Sequence, residues 1–400
     1  MSADILKRIN EGTYIEDFIR ELAKEDERYI DIIDNIDYID GLYEWKIPTC
    51  RSIPKNDGGF REIFIYHLED RAVQKMLNHE LSELFDTLLP KCTYAYRKGV
   101  NRLHAVRDIL SETANNYSCK IDIKNYFRAV PYEVIEKSID SLDIDKETGF
   151  IIKNHFKISS YILNNEVITD QNLGLTAGSP LGAFFANYLL VELDRVMENS
   201  CVKYARYCDD MLIVSESKES LEENIKILKY ELSKYGLEVK DAKTVYFNPG
   251  DNINFLGLKI ENGKIDISID SFVRNKKKIK KICKKYRTMV SKNLISKEEG
   301  LVGAINAVAK YYYKENIYDE KQYKPLSNIL SVVNTIDTVR ELDFYTINNL
   351  RWVYTGKHNS MNAVKVPMEE LYRLGYVHFS ELYMDYKNER EIYKYKVRTL

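Results

Sequence analysis

The segment KYARYCDDMLIVSES, residues 203–217, sets two adjacent carboxylates, Asp209 and Asp210, between two apolar, strand-forming pieces. Two short strands around a tight turn at Cys208–Asp210 read as a hairpin. An Asp-Asp pair in a turn is common by itself, because Asp tolerates turn geometry. Here both flanks are of the kind that is buried, and adjacent like charges are costly there unless a cation offsets them. A third carboxylate, Asp122, follows the apolar Ile121 in CKIDIKNYF, which reads as a strand running into a turn. Neighbouring strands lie about 4.8 Å apart. A strand ending in Asp122 beside the hairpin tip therefore gathers three carboxylates. Such a set suits phosphoryl transfer, which asks a protein for positioning and charge stabilisation, usually with two divalent ions roughly 3.5–4 Å apart. Magnesium prefers carboxylate oxygens and keeps several waters.

The rest of the chain narrows the possibilities. Its 400 residues give room for two or three domains. No run of about 18 apolar residues exists, so no membrane span is expected. The start, MSADILKRINEGTYIEDF, has no apolar signal region, so the chain is expected in the cytoplasm. Cys50, Cys92, Cys119, Cys201, Cys208 and Cys283 form no CxxC pair and stand far from the histidines. That argues against a zinc site and a disulfide framework, and fits a reducing compartment. The net charge of −2 hides a strong asymmetry: residues 1–50 carry 13 acids against 6 bases, whereas residues 271–290 carry 9 bases and no acid. The 31 tyrosines are mostly expected as half-buried packing residues.

Residues 1–50 read as two or three short acidic helices. A turn at PKNDGG leads to a strand around Ile63–Tyr66. Apolar residues at helical spacing (Val73, Leu77, Leu81, Leu84) predict a helix from about Asp70 to Asp86. Residues 132–160 look helical. GLTAGSPLGAFFANYLLVELDRVM reads as a Gly-rich loop opening one long helix, with Ser179 as N-cap and Pro180 at the first position. Residues 217–235 read as an amphipathic helix, GLEVKDAKTVYF and INFLGLKI as strand-like, and the chain beyond about 262 as mainly helical. The mixture of strands and helices without strict alternation points to the α+β class.

These segments stand in the order found in bacterial reverse transcriptases, and the chain resembles that family over about residues 51–260. PKNDGGFREI is similar to the fingers segment whose basic residues touch the incoming triphosphate. DRAVQKML and TYAYRKGVNRLHAV resemble the next fingers blocks. KIDIKNYF matches the first palm motif, GLTAGSPLGAFFAN the second and YCDD the third; GLEVKDAKT and FLGL are similar to the fourth and fifth. Any one match is weak, and the ordered set is strong. The resemblance implies a right-hand polymerase: an acidic helical segment over 1–50, fingers and an antiparallel palm sheet over 51–260, and a basic helical thumb with a C-terminal extension over 261–400. It implies two Mg2+ ions held by Asp122 and Asp209, with Asp210 completing the set and the Ile123 carbonyl adding a ligand. Arg61 and Lys55 would neutralise triphosphate oxygens, Gly178 and Ser179 would border the nucleotide, and Lys243 would give a proton to the leaving pyrophosphate. Phe127 would be the gate under the sugar, its ring leaving no space for a 2′-hydroxyl. Each has a plainer alternative: exposed loop charges, a helix start, a solvated turn lysine and a core aromatic. Ala177 departs from the family, where many relatives have Gln, and puts close carry-over of template handling in doubt.

Within 271–290, Ile279, Cys283, Tyr286 and Val290 recur at helical spacing and leave the other faces to lysine. The alternatives are a solvated surface helix and a thumb whose Lys276, Lys277, Lys280, Lys281 and Lys284, with Arg97 from the fingers, follow a phosphate backbone. Residues 295–400, including YYYKENIYDEKQYK and the final YKYKVRTL, carry no assigned motif and read as a helical extension that packs on the thumb or holds an RNA. A group II intron protein would add a maturase region, and retron enzymes carry Asn-Ala-x-x-His and Val-Thr-Gly blocks; VYTG at 353–356 only approximates the latter. The chain instead resembles the free-standing reverse transcriptases of antiphage defence, the unknown-group and abortive-infection enzymes. The YCDD variant and compact length suggest the type 2 defence enzyme. That resemblance implies copying of a structured noncoding RNA into cDNA from deoxynucleoside triphosphates. Alternatives are template-independent or protein-primed synthesis, an intron- or retron-type enzyme, and a non-catalytic RNA sensor. No oligomeric state is specified by the sequence.

Overall fold

The computed structural model describes residues 3–54, 59–261, 263–313 and 333–385. Lys55, most of YYYKENIYDEKQYK and the final YKYKVRTL lie outside the described residues. Two compact units result: Met1–Ala105 with Asn115–Pro249, and Val106–Ala114 with Gly250–Leu400.

The first unit opens with α1 (Ile5–Ile9), α2 (Tyr14–Glu25) and a 3-10 helix, Glu27–Asn35. Asp4 starts α1 by accepting from the Lys7 N–H at 3.0 Å. The acidic side chains face water, while Ile5, Ile9, Ile15, Ile19, Tyr29 and Ile32 enter the same hydrophobic core as the central sheet. These N-terminal helices thus contribute to this unit's core. A hairpin follows, β1 (Thr49–Pro54) and β2 (Phe60–Ile65), then α3 (Leu68–Phe85) with Val73, Leu77 and Leu81 fully buried. Cutting Leu77 back to Ala would cost about 2–5 kcal/mol in such a site.

After α4 (Arg102–Thr113) come β3 (Tyr117–Asp122), α5 (Tyr126–Ala129), α6 (Tyr132–Asp140) and α7 (Lys146–Phe156). The helical reading of 132–160 stops at Phe156. There the chain forms a hairpin, β4 (Ser160–Leu163) and β5 (Glu166–Thr169). Its two loop residues, Asn164 and Asn165, have φ of 51° and 69°. Positive φ at both central residues is what a two-residue hairpin turn requires, and Asn tolerates it. This hairpin completes a sheet in the order β2-β1-β4-β5, joined by a parallel pairing of Thr49 with Ile162.

The helix after the Gly-rich loop is two helices, α8 (Pro180–Tyr188) and α9 (Val191–Ser200). Ser179 caps α8 through its hydroxyl, which accepts from the Gly182 N–H at 3.3 Å, and Pro180 takes the first helical position. Then come β6 (Lys203–Tyr207), β7 (Asp210–Ser215), α10 (Lys218–Ser233) and β8 (Val245–Phe247). The central sheet runs β6-β7-β3-β8, antiparallel throughout. Ile121, Met211 and Ile213 turn into the core, with Phe185 between Phe156 and Phe184 in edge-on contacts of 5.3 and 5.1 Å. Each such aromatic pair is worth about 0.5–1.5 kcal/mol beyond its buried area.

The second unit holds a three-stranded sheet, β9 (Ile253–Phe255), β10 (Leu258–Glu261) and β11 (Lys264–Ile267), so the FLGL segment belongs to this unit. Helices α11 (Ile269–Ser291), α12 (Lys297–Tyr312) and α13 (Asp337–Thr355) pack on one another. Short helices α14 (Asn362–Lys365) and α15 (Met368–Arg373) follow. Ser296 and Glu299 form a reciprocal capping box at the start of α12. The buried Asp343 of α13 accepts from the Phe379 and Ser380 N–H groups at 2.6 and 2.9 Å and from the Tyr376 hydroxyl at 3.0 Å. Among the described residues no helix is long and apolar enough to cross a membrane.

Candidate active site

Antiparallel register does what the strand spacing predicts. Asp122, the last residue of β3, pairs directly with Asp210, the first of β7. Asp209 is the second of the two loop residues between β6 and β7. The main chain is pinned on both sides: the Ile123 N–H donates to the Asp209 carbonyl at 3.1 Å, and the Lys240 N–H donates to the Asp122 carbonyl at 2.7 Å. The three carboxylates therefore sit on adjoining strand ends whose backbone cannot shift independently. The Ile123 side chain is fully buried, which fixes the peptide that follows Asp122.

The electrostatics follow from that crowding. Burial, then the charges of Asp210 and Asp122, push the Asp209 carboxyl above its ordinary range, and the Arg61 guanidinium pulls the other way. Two lysines partly relieve the negative charge. Lys243 Nζ lies 3.0 Å from Asp122 Oδ2, and Lys120 Nζ lies 3.5 Å from Asp210 Oδ1. For Lys243, burial lowers the pKa, but the hydrogen bond and charge of Asp122, with Asp210 and Asp209, outweigh it and raise it. Among the described residues no three acidic, His or Cys side chains are already drawn into a cage that could hold a metal ion. The donor set nonetheless fits hard divalent cations: three carboxylates, one of them resisting ionisation because of its burial and then its acidic neighbours. Asp122, Asp209 and Asp210 are the residues that could hold them.

Lys120 was not singled out from the sequence. Its signal was there, because period-two alternation puts residue 120 on the same strand face as Asp122. The Tyr96 hydroxyl donates to Cys208 Sγ at 3.7 Å.

Of the remaining candidates of this unit among the described residues, only Arg61 is linked to a carboxylate of the set; the others make contacts elsewhere. Arg61, on β2, is exposed, and its charge reaches Asp209. Phe127 is half-buried on α5, edge-on to Tyr126 at 5.9 Å, and its carbonyl accepts from the Leu175 N–H at 2.7 Å. Gly178 has φ 111°, and a Cβ there would lie 2.4 Å from the Phe64 carbonyl oxygen, so the loop can approach β2 only without a side chain. The same contact is closed by the Phe64 N–H donating to the Ala177 carbonyl at 2.8 Å. Ser179 is buried, and its hydroxyl meets His155 Nε2 at 3.0 Å. Arg97 spends its guanidinium on the protein itself: Nε contacts Asp86 at 2.9 Å, and Nη1 donates to the carbonyls of Pro90 and Thr93 at 3.1 and 3.0 Å.

In the second unit, α11 shows the face read from its sequence. Ile279, Cys283 and Val290 are buried, Tyr286 is half-buried, and Lys277, Lys280, Lys281 and Lys284 are exposed. Lys276 differs: its ammonium lies 4.6 Å from the Tyr345 ring centre and 5.1 Å from that of Phe272.

The model of the reverse transcriptase (RNA-dependent DNA polymerase) family matches residues 53–260. The COX1/OXI3 intron 1 protein of Saccharomyces cerevisiae is 24% identical over 161 residues, 40% of this chain and 19% of that protein. The retron Ec73 reverse transcriptase of Escherichia coli is 25% identical over 233 residues, 53% of this chain and 68% of that protein. The chain thus spans about a fifth of the first relative's length. Among solved structures it is similar to apo telomerase from Candida tropicalis, at 15% identity and a TM-score of 0.44 over 82% of this chain and 67% of that one. The family match takes in more than half of the chain, including all three carboxylates, and the chain belongs to the reverse transcriptase family.

Proposed function

We propose that this protein is an RNA-directed DNA polymerase that copies a structured noncoding RNA into cDNA, in bacterial antiphage defence. The observation that supports the polymerase reading is the pairing of Asp122 with Asp210 across β3 and β7, with Asp209 on the adjoining turn. Bound there, two Mg2+ ions would polarise the 3′-hydroxyl and neutralise the triphosphate. Asp122, Asp209 and Asp210 hold the charge in place, with the Ile123 carbonyl as a further oxygen. Arg61, with Lys55, pairs with phosphate oxygens of the incoming deoxynucleoside triphosphate, and Gly178 and Ser179 shape the loop beside it. The 3′-oxygen attacks the α-phosphorus, the bond to the β-phosphate oxygen breaks, and pyrophosphate leaves. Lys243, a charged ammonium beside Asp122, would give that leaving group a proton. Phe127 excludes a 2′-hydroxyl. The exposed lysines of α11 follow the phosphates of the template–product duplex.

The reading of a defence role and a noncoding template is supported by the YCDD form of the third motif. The test joins both levels. Asp209→Ala with Asp210→Ala is expected to abolish cDNA synthesis and phage protection together. Protection that survives in this variant rejects the catalytic reading, and sequencing the RNA and cDNA that co-purify identifies the template.

A further inference from the structure

The carboxylate turn carries a left-handed residue, Cys208 with φ 61°, as the first of its two loop positions. Two-residue hairpin turns demand positive φ there and favour Gly or Asn. Cysteine pays the Cβ penalty, so contacts outside the turn must hold it. Arg206 of β6 makes such a contact. It is fully buried and forks onto the equally buried Asp194 of α9, with Nε 2.7 Å from Oδ1 and Nη2 2.5 Å from Oδ2. Its other donors reach carbonyls: Nη1 donates to Cys208 at 3.3 Å and Ala186 at 3.1 Å, and Nη2 to Asn187 at 3.1 Å. Asp194 is itself fixed by the hydroxyls of Thr93 at 2.6 Å and Tyr204 at 3.3 Å. The Arg206 main chain is clamped too, its N–H donating to the Cys92 carbonyl at 2.8 Å and its carbonyl accepting from the Tyr94 N–H at 3.0 Å.

A buried ion pair is an inefficient way to stabilise a fold, since apolar side chains of similar volume do as well. What apolar side chains cannot do is grip a carbonyl. The planar guanidinium has donors left over after binding Asp194, and one of them holds the peptide that leads into Asp209.

We infer that Arg206 is a positioning residue: anchored on Asp194, it holds the Cys208 carbonyl and so sets where Asp209 presents its carboxylate to the metal ions. This rests on the reading of Asp209 as a metal ligand. The test uses the full chain with Mn2+ as the probe, titrated by electron paramagnetic resonance without nucleotide, beside kinetics of primer extension. Arg206→Lys keeps the charge and loses the fork. It is expected to raise half-saturating Mn2+ and lower kcat by roughly tenfold each, as loss of groups that orient metal ligands does, with KM for the nucleotide changed by less than about twofold. Arg206→Met with Asp194→Leu leaves no uncompensated buried charge and is the second variant, expected to fold even if Arg206→Lys does not. The same rise is expected. A lower melting temperature with unaltered Mn2+ half-saturation in the folded variants overturns the proposal. Asp209→Asn separates the two levels: if it leaves Mn2+ binding unchanged, the metal site itself is misassigned. If it abolishes binding while the Arg206 variants bind normally, only the positioning role fails.

Discussion

Lys243 Nζ lies 3.0 Å from Asp122 Oδ2, so the candidate proton donor and a candidate metal ligand already share a hydrogen bond. Burial lowers the pKa of this ammonium, but the hydrogen bond and charge of Asp122, with Asp210 and Asp209, raise it above the ordinary lysine value, so it is charged through the neutral range. A charged lysine beside the carboxylates is what donation to pyrophosphate needs. Lys243→Ala is expected to lower kcat by roughly 100-fold, the usual scale for a positioned proton donor, with KM for the nucleotide little changed. Single-turnover incorporation at saturating nucleotide measures it, and a rate within twofold of the parent removes Lys243 from the chemistry.

Phe127 stands on a four-residue helix whose backbone is fastened by the Leu175 N–H at 2.7 Å. A gate must be rigid to exclude one hydroxyl. Phe127→Ala is expected to raise the use of ribonucleotides relative to deoxyribonucleotides by about 100-fold, with deoxynucleotide incorporation falling less. The ratio of kcat/KM for dGTP and GTP reads it directly.

His155 is buried among Trp45, Tyr66 and Phe156, and burial depresses its pKa from 6.5 to about 3. The unfolded chain therefore binds a proton that the folded chain refuses between those values. The contribution to stability is fully present above pH 6.5 and is lost as pH falls towards 3, at up to about 1.4 kcal/mol per pH unit. His155→Gln keeps a group that can bond the Ser179 hydroxyl and removes the titration. Urea unfolding from pH 7 to pH 4 is expected to show a shallower loss of stability in the variant, and an identical slope contradicts the assignment.

On α11, Lys280, Lys281 and Lys284 are exposed, whereas the Lys276 ammonium is stacked on Tyr345. Changing the three exposed lysines to Ala is expected to flatten the plot of log binding constant against log salt by about 0.7–0.9 per lost phosphate contact. Lys276→Ala is expected to lower the melting temperature and leave that slope nearly unchanged. Fluorescence anisotropy on an RNA–DNA hybrid from 50 to about 200 mM salt checks both.

What could be read from the sequence was what local pattern encodes. Asp122 and the Asp209–Asp210 pair were legible because strand alternation and a tight turn fix their positions, and Ser179 with Pro180 is a local helix-start signal. The buried face of α11 followed from spacing alone. The hairpin through Asn164 and Asn165 is also encoded, by β-branched residues around a turn pair, although the sequence reading gives no element to residues 161–172. The break between α8 and α9 at Leu189–Leu190 has no such signal, since apolar residues continue through it. Lys120 against Asp210 and Arg206 against Asp194 are contacts between residues distant in sequence or set by strand register. Only the folded sheet shows which acid each base meets.

Primer extension by the purified full chain is the direct test of polymerase activity. With an RNA template, a DNA primer, the four deoxynucleoside triphosphates and Mg2+, template-directed DNA synthesis is expected, abolished by chelation and by Asp122→Asn, while the variant's melting temperature stays close to the parent's. DNA synthesis that persists in folded Asp122→Asn, or product whose sequence ignores the RNA template, would contradict that expectation.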